Sequence, residues 1–252
     1  MQTRRYLRCR SRPRCLASNA QGTNESPGTG KTPRRYAAAG SEAEFQPGSR
    51  GRVLRNFPGI TKVREMEDAE TQALIVAQQA ARTTYGRNHR FTPADIRRLH
   101  RMWLGSIYPW AGNYRTVNIG EGGLHFAHAP LIARLMVNFG KEALRRHTPC
   151  REGTDVPVAR SLAEVHAQLI LIHPFRDGNA RLARLVAVLM AAQVGVNSLR
   201  LSALAGAGKR TYAQAIHAAM TRDYAPLESL FASALDGPWR SASANSCAKW
   251  SI

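Results

Sequence analysis

The stretch His173-Pro174-Phe175-Arg176-Asp177-Gly178-Asn179-Ala180-Arg181-Leu182-Ala183-Arg184 decides how this chain is read. Pro174 disfavours helical dihedrals at His173, so the helix arriving from the N-terminal side is predicted to stop near Ile172 and turn the imidazole out of the core. Asp177 is a hard oxygen ligand of the kind that suits Mg²⁺. Gly178 and Asn179 tolerate positive φ, which aims successive backbone N–H groups into one concavity at the start of the next helix, where the dipole also favours an anion. Arg181 and Arg184 fall three apart on the first turns of that helix, and both can fork onto phosphate oxygens. A base and a phosphate clamp therefore converge at one helix mouth.

Leu182, Leu185, Val186, Leu189 and Met190, with Ala and Val between them, make the helix beyond this stretch apolar nearly all round. That pattern predicts the buried central helix of a mainly α fold. Further helices are predicted at about 62–83, 129–146, 158–172, 179–194, 209–221 and 225–235, together with one that starts at Thr92-Pro93-Ala94-Asp95 and carries Ile96, Leu99, Trp103 and Ile107 as its apolar stripe. Thr61 and Thr92 read as N-caps, the latter with a proline at N1 and an acid at N3. Tyr114 to Ile119 alternates, Gly120-Glu121-Gly122-Gly123 breaks the pattern, and Leu124 to Phe126 resumes it, which reads as a small β-hairpin.

The twelve residues resemble the signature of the Fic family, written roughly His-Pro-Phe-x-[Asp/Glu]-Gly-Asn-Gly-Arg-x-x-Arg, with one departure at Ala180. Gly59-Ile60-Thr61, Phe91-Thr92 with Leu99-His100, Tyr108-Pro109-Trp110-Ala111-Gly112, Tyr114-Arg115 and Pro226-Leu227 with Leu230-Phe231 are similar to further Fic landmarks. The resemblance covers residues 53 to 235 or thereabouts. It implies a Fic-type helical bundle with a central buried helix and a small β-hairpin flap. It also implies transfer of AMP from ATP to a Ser, Thr or Tyr hydroxyl of a target protein, with ATP and Mg²⁺ as cofactors. In that scheme His173 is the general base, Phe175 a buried anchor for the loop, and Asp177 the Mg²⁺ ligand. Gly178, Asn179, Ala180, Arg181 and Arg184 hold the ATP phosphates, and Asn118, Ile119 and Gly120 form the flap edge on which the target segment docks.

Ala180 bears on this scheme in either of two ways. If the position needs positive φ, alanine costs about 1 kcal/mol; if it is helical, alanine is harmless. Members of the phosphotransferase branch, Doc, carry Lys there and Ala at the Gly178 place, and this chain has neither. A phosphotransferase, or a transferase of another nucleotide-derived group, is the alternative enzyme. From another class, the alternatives are an inactive nucleotide-binding module or a nucleic-acid-associated basic protein. Many Fic proteins are silenced by a helix with [Ser/Thr]-x-x-x-Glu-[Gly/Asn]; Thr61 to Glu65 has the spacing but runs on into Met66. The chain is therefore expected to be constitutively active or to be held by a separate, antitoxin-like protein that supplies the glutamate in trans.

The chain has 252 residues and a formal charge of +19, and residues 1–55 hold twelve basic against three acidic side chains. Residues 1–52 are expected to be a disordered basic arm, 53–236 the Fic domain, and 237–252 a loose tail. Nucleic acid is expected as a partner only through the arm. The arm suits an organelle transit peptide or an extra upstream stretch, and lacks the apolar core of a secretory signal. Within it Ser26 to Thr32 imitates a P-loop without the preceding strand that motif requires. No run of 18 apolar residues predicts a membrane span. Cys9, Cys15, Cys150 and Cys247 lack metal or redox spacing, which suits a reducing compartment. His125 and His128 have no Cys or acidic partner at zinc spacing. A cytoplasmic location is expected, and the resemblance is also compatible with secretion as an effector into a host cell.

Overall fold

A computed structural model describes residue 42 and residues 44–121, 124–152, 156–196, 199–201 and 208–235. The elements run α1 (Val63–Thr84), α2 (Pro93–Leu104), β1 (Gly120–Glu121), β2 (Leu124–His125), α3 (Ile132–Phe139), α4 (Arg145–His147), α5 (Val158–Ile172), α6 (Asn179–Gln193), α7 (Lys209–Ala219) and α8 (Ala225–Leu235). The fold is mainly helical. In α6 the residues Leu182, Ala183, Leu185 to Ala191 and Gln193 are buried, so this helix has no solvent side over most of its length. Helix α5 packs along it and along α8, while α1 packs on α2 and both touch α6. An apolar helix of this kind must be enclosed by its neighbours, and that requirement brings the α5–α6 junction against α2.

Local sequence explains the helix ends unevenly. At α2, Thr92 Oγ1 accepts from the Asp95 amide at 3.2 Å and Asp95 Oδ2 accepts from the Thr92 amide at 2.9 Å, a complete capping box behind Pro93. The cap predicted at Thr61 does not form: α1 begins one residue later, with Lys62 at the N-cap and no side-chain bond. The helix expected at about 129–146 is not uniform either. It opens as a 3₁₀ turn over Ala129–Leu131, which contains Pro130, and widens into a π turn over Gly140–Leu144. Gly140 abuts Pro93 so closely that a Cβ there would stand 2.7 Å from the proline ring, and it is also the weakest helix former in the run apart from Pro130.

The predicted hairpin needs a larger correction. Tyr114 to Ile119 forms no strand and bends at Thr116 and Val117; Arg115, Val117 and Ile119 are buried, Thr116 and Asn118 are exposed, and the segment has no partner strand among the described residues. Pairing is confined to Gly120 opposite His125 and Glu121 opposite Leu124. Alternating burial means that one side of the chain lies on the core; a ladder is a separate requirement. The carbonyls of Val117 and Ala127, on the two limbs of this flap, are taken by the Arg115 guanidinium instead.

The folded part also starts before residue 53. The Gln46 amide donates to the Val53 carbonyl at 2.8 Å and the Arg55 amide to the Glu44 carbonyl at 2.9 Å, around the Phe45–Leu54 bridge, and Ser49, Val53 and Leu54 are buried. The P-loop-like stretch, Cys9, Cys15, Cys247 and the tail from 237 lie outside the described residues. Among the described residues no helix is long and apolar enough to cross a membrane.

Two of the four histidines buried among the described residues, His100 on α2 and His166 on α5, are nearly fully enclosed by the core. Burial is the main cause that pushes each down to about 4; the Arg181 charge adds to it at His100 and the Arg184 charge at His166. Unfolded, each takes up a proton near pH 6.5; folded, each stays neutral until about pH 4. Between those values the unfolded chain binds more protons, so stability is complete above pH 6.5 and is lost as the pH falls through this window. Each histidine should cost about 2 kcal/mol by pH 5, which lies above most carboxylate titrations. Thermal unfolding followed from pH 7 to pH 5 should show a steadily falling Tm; a flat Tm over that range contradicts the assignment.

Candidate active site

Helix α5 ends at Ile172, as the proline predicts, and His173 caps it in the left-handed region at φ 50°, ψ 61°, with its amide donating to the Leu169 carbonyl at 3.0 Å. A non-glycine residue there stores about 1–2 kcal/mol of backbone strain. The imidazole was expected to point out of the core. It is buried instead, because Phe126 folds over it with ring centroids 3.6 Å apart and planes 11° from parallel. His173 Nδ1 donates to the Ile170 carbonyl at 3.1 Å, which puts the basic lone pair of the neutral ring on Nε2.

The loop that follows is held from three sides. Phe175 is fully buried and stacks on His100 with ring centroids 3.9 Å apart. His100 Nδ1 accepts from the Gly112 amide at 2.8 Å, so its Nε2 is the donor to the Asp177 carbonyl at 3.1 Å. Asn179 closes the loop on itself: its Oδ1 accepts from the Phe175 amide and its Nδ2 donates to the Phe175 carbonyl, both at 2.9 Å. Gly178 has φ +80°, and a Cβ there would stand 2.8 Å from the Trp103 ring. Both conformation and space thus demand glycine.

Gly178 is the N-cap of α6 and offers no side chain to it, so the amides of Asn179 and Ala180 have neither a cap nor an intrahelical acceptor. The first intrahelical bond runs from the Leu182 amide to the Gly178 carbonyl at 2.9 Å. The Gly178 amide itself, expected in the phosphate cradle, donates to Asp177 Oδ1 in this structure. Ala180 is the second residue of α6 with ordinary right-handed dihedrals, so its methyl group imposes no strain. Asp177 keeps a side chain that is 32% exposed.

The two arginines divide. Arg181 Nη1 pairs with Glu70 Oε2 at 2.6 Å, and its guanidinium lies 4.7 Å from the centroid of the Trp103 ring. Glu70 is buried on α1, where Oε1 also accepts from the Tyr108 hydroxyl at 2.6 Å and the main-chain carbonyl accepts from Trp103 Nε1 at 2.8 Å. In this structure a carboxylate of the fold thus neutralises the guanidinium that was expected at the phosphates. Arg184 is different, since its Nε is buried with no hydrogen-bond partner among the described residues. Of the flap residues, Asn118 turns its Oδ1 to the Ala129 amide at 2.8 Å, Ile119 is buried, and Gly120 opens β1.

Sequence reasoning passed over Glu70, His100, Arg115 and Glu42 as working parts. His100 and Arg115 were visible only as landmarks, because hydrogen bonds to main-chain carbonyls leave no spacing to read. Glu70 did carry a signal, an acid on the helix face that also presents Met66, Ala77 and Ala81 to the core. Glu42 touches both halves of the site: its carboxylate accepts from the Thr116 amide at 3.2 Å and its carbonyl from Arg176 Nε at 2.7 Å.

Residues 90–191 match the Fic/DOC family, a span that takes in the flap and the whole loop to Arg184. This chain carries a Fic/DOC domain. A Sinorhizobium fredii protein called a probable protein adenylyltransferase is 30% identical over 129 residues, which are 51% of this chain and 65% of that protein. The protein adenylyltransferase VbhT of Bartonella schoenbuchensis is 28% identical over 134 residues, 52% of this chain and 27% of VbhT. The chain thus spans less than two thirds of either relative's own length. Among solved structures, the BepC protein of Bartonella tribocorum, with AMPPNP bound, is similar at a TM-score of 0.60 and 20% identity over 75% of this chain and 94% of that one. At that identity the likeness is one of fold.

The Fic loop yields two predictions. Arg181→Ala leaves the buried Glu70 carboxylate unpaired and should lower stability by about 3 kcal/mol, whereas Arg184→Ala removes an orphaned donor and should leave Tm unchanged or raise it. Calorimetric unfolding of the two variants checks this, and an unchanged Tm in Arg181→Ala contradicts the Glu70 tie. Ala180→Gly should bring no gain in activity and cost up to about 1 kcal/mol at the start of α6, measured by urea denaturation. A clear rise in activity would mean that the methyl group obstructs the site.

Proposed function

We propose that this Fic domain is a protein adenylyltransferase that moves AMP from ATP to a Ser, Thr or Tyr hydroxyl of a target protein. The observation that supports it best is the pairing of an uncapped helix N-terminus with an arginine whose buried Nε lacks an acceptor among the described residues. A polyphosphate supplies what both lack, anionic oxygens for the Asn179 and Ala180 amides and for Arg184. The adenylyltransferase names of the relatives point the same way.

In the proposed reaction the acceptor oxygen forms a bond to the α-phosphorus as its proton passes to Nε2 of His173. The bond from the α-phosphorus to the bridging oxygen breaks, and pyrophosphate leaves. Asn118 to Gly120 serve as the edge along which an extended target segment pairs, bringing its hydroxyl to the base. Asp177 fits Mg²⁺ by its chemistry: at phosphates this ion takes one or two carboxylates and completes its shell with substrate and water oxygens, and among the described residues no larger cluster of ligands exists. When bound, Mg²⁺ offsets charge on the phosphates. Glu70 holds Arg181, not Arg184, so a protein that silences this domain in trans would direct its carboxylate to Arg184.

Incubation of the purified chain with ATP labelled at the α-phosphate should transfer label to protein, and γ-labelled ATP should not. His173→Ala should reduce that transfer by about 10²-fold while ATP still binds by calorimetry. Label arriving from the γ-position identifies a phosphotransferase instead, and full transfer by His173→Ala removes the base assignment.

A further inference from the structure

Arg115 is a buried cation whose side-chain hydrogen bonds among the described residues all go to main-chain carbonyls. Its Nε donates to the His173 carbonyl at 2.8 Å, Nη1 to Val117 at 2.6 Å and Nη2 to Ala127 at 2.5 Å, while its own amide donates to the Pro174 carbonyl at 2.9 Å. Burial pulls its pKa down to about 10, with the Glu42 charge opposing, so the guanidinium stays charged at neutral pH.

The choice of partners is informative. A carboxylate would have neutralised the charge with two strong bonds; three carbonyls from three chain segments leave the charge in place and use the rigid fork to set positions. Those segments are the base residue itself and the two limbs of the flap. Val117 leads directly into Asn118, Ile119 and Gly120, while Ala127 follows Phe126, whose ring lies on the His173 imidazole. The hold on His173 and Pro174 also secures the left-handed backbone at residue 173, a conformation that persists only where its surroundings enforce it.

We infer that Arg115 is a positioning residue for the transfer reaction: its guanidinium sets the distance and orientation between the His173 imidazole and the flap edge that presents the acceptor. The inference rests on the role proposed above for His173. Lysine keeps the charge but cannot reach three divergent carbonyls, so Arg115→Lys isolates the geometry from the electrostatics. None of the groups proposed for the phosphates touches Arg115, and ATP binding should be indifferent to the change.

The test uses the full chain, with self-labelling from α-labelled ATP as the probe reaction and the His173 imidazole Cε1–H signal, assigned by its loss in His173→Ala, as the structural readout. The Phe126 ring stacked on His173 moves that proton signal upfield. In Arg115→Lys the signal should relax toward the random-coil position. Labelling at saturating ATP should fall about 10- to 100-fold, the cost of misplacing a reacting group by about 1 Å, with the half-saturating ATP concentration unchanged. An unmoved His173 signal overturns the inference, as does a parallel loss of ATP affinity. His173→Ala separates the two readings. If that variant still labels, the base assignment has failed; if it is dead while Arg115→Lys labels at the wild-type rate, the positioning role has failed. Should Arg115→Lys not fold, the wild-type protein decides: an Arg115 Nε–H bonded to a buried carbonyl exchanges slowly with solvent and remains visible at pH 8, and a rapidly exchanging one refutes the anchoring.

Discussion

The indole of Trp103 is the surface on which the site is built. Its edge lies where a side chain at position 178 would have to go, its face carries the Arg181 guanidinium, and its Nε1 donates to the Glu70 carbonyl. One buried aromatic ring thereby ties α1, α2 and the start of α6 together. Only a residue without a Cβ can pass the ring, and only glycine takes φ +80° at no cost, so the turn into α6 has a single solution. That turn leaves the helix uncapped, and the absence of a cap leaves first-turn amides for an anion.

Three arginines near the loop show three ways of handling a charge in or near a core. Arg181 is neutralised by Glu70 and serves to join α1 to α6. Arg115 spends its donors on carbonyls and serves to hold loop and flap in register. Arg184 has a buried Nε with no acceptor among the described residues, which costs about 1–3 kcal/mol while it stays unmet. Functional sites carry such costs where stability elsewhere allows it, and the strained backbone at His173 is a second instance at the same loop. The two features lie at opposite ends of one twelve-residue stretch, which begins at the end of α5 and runs into the first turns of α6.

The loop between those helices is held mostly by polar contacts of small reach. His100 meets the Asp177 carbonyl, Asn179 meets both polar groups of the Phe175 backbone, and Arg115 meets the His173 carbonyl. Each satisfies a main-chain group that an irregular buried loop would otherwise leave unpaired. The flap follows the same rule. Its two-residue ladder provides few main-chain bonds, and the Arg115 guanidinium takes up carbonyls on either limb.

Much of this was legible in the residues alone. The all-round apolar pattern of α6, the proline behind His173, the glycine at 178 and the Thr92–Asp95 capping box act within one turn or one helix, and local physics of that kind survives in any tertiary setting. The helical order and the location of the Fic loop follow from it. Burial of the His173 imidazole, commitment of Arg181 to Glu70 and the shortening of the hairpin to a two-residue ladder, with Arg115 holding its limbs, were decided only when distant segments met. Glu70 lies 111 positions from Arg181, and the Arg115 guanidinium reaches a carbonyl 58 positions away. No periodicity encodes such partners, because a side chain chooses among all the acceptors that packing brings within about 3 Å, and packing is a property of the whole fold.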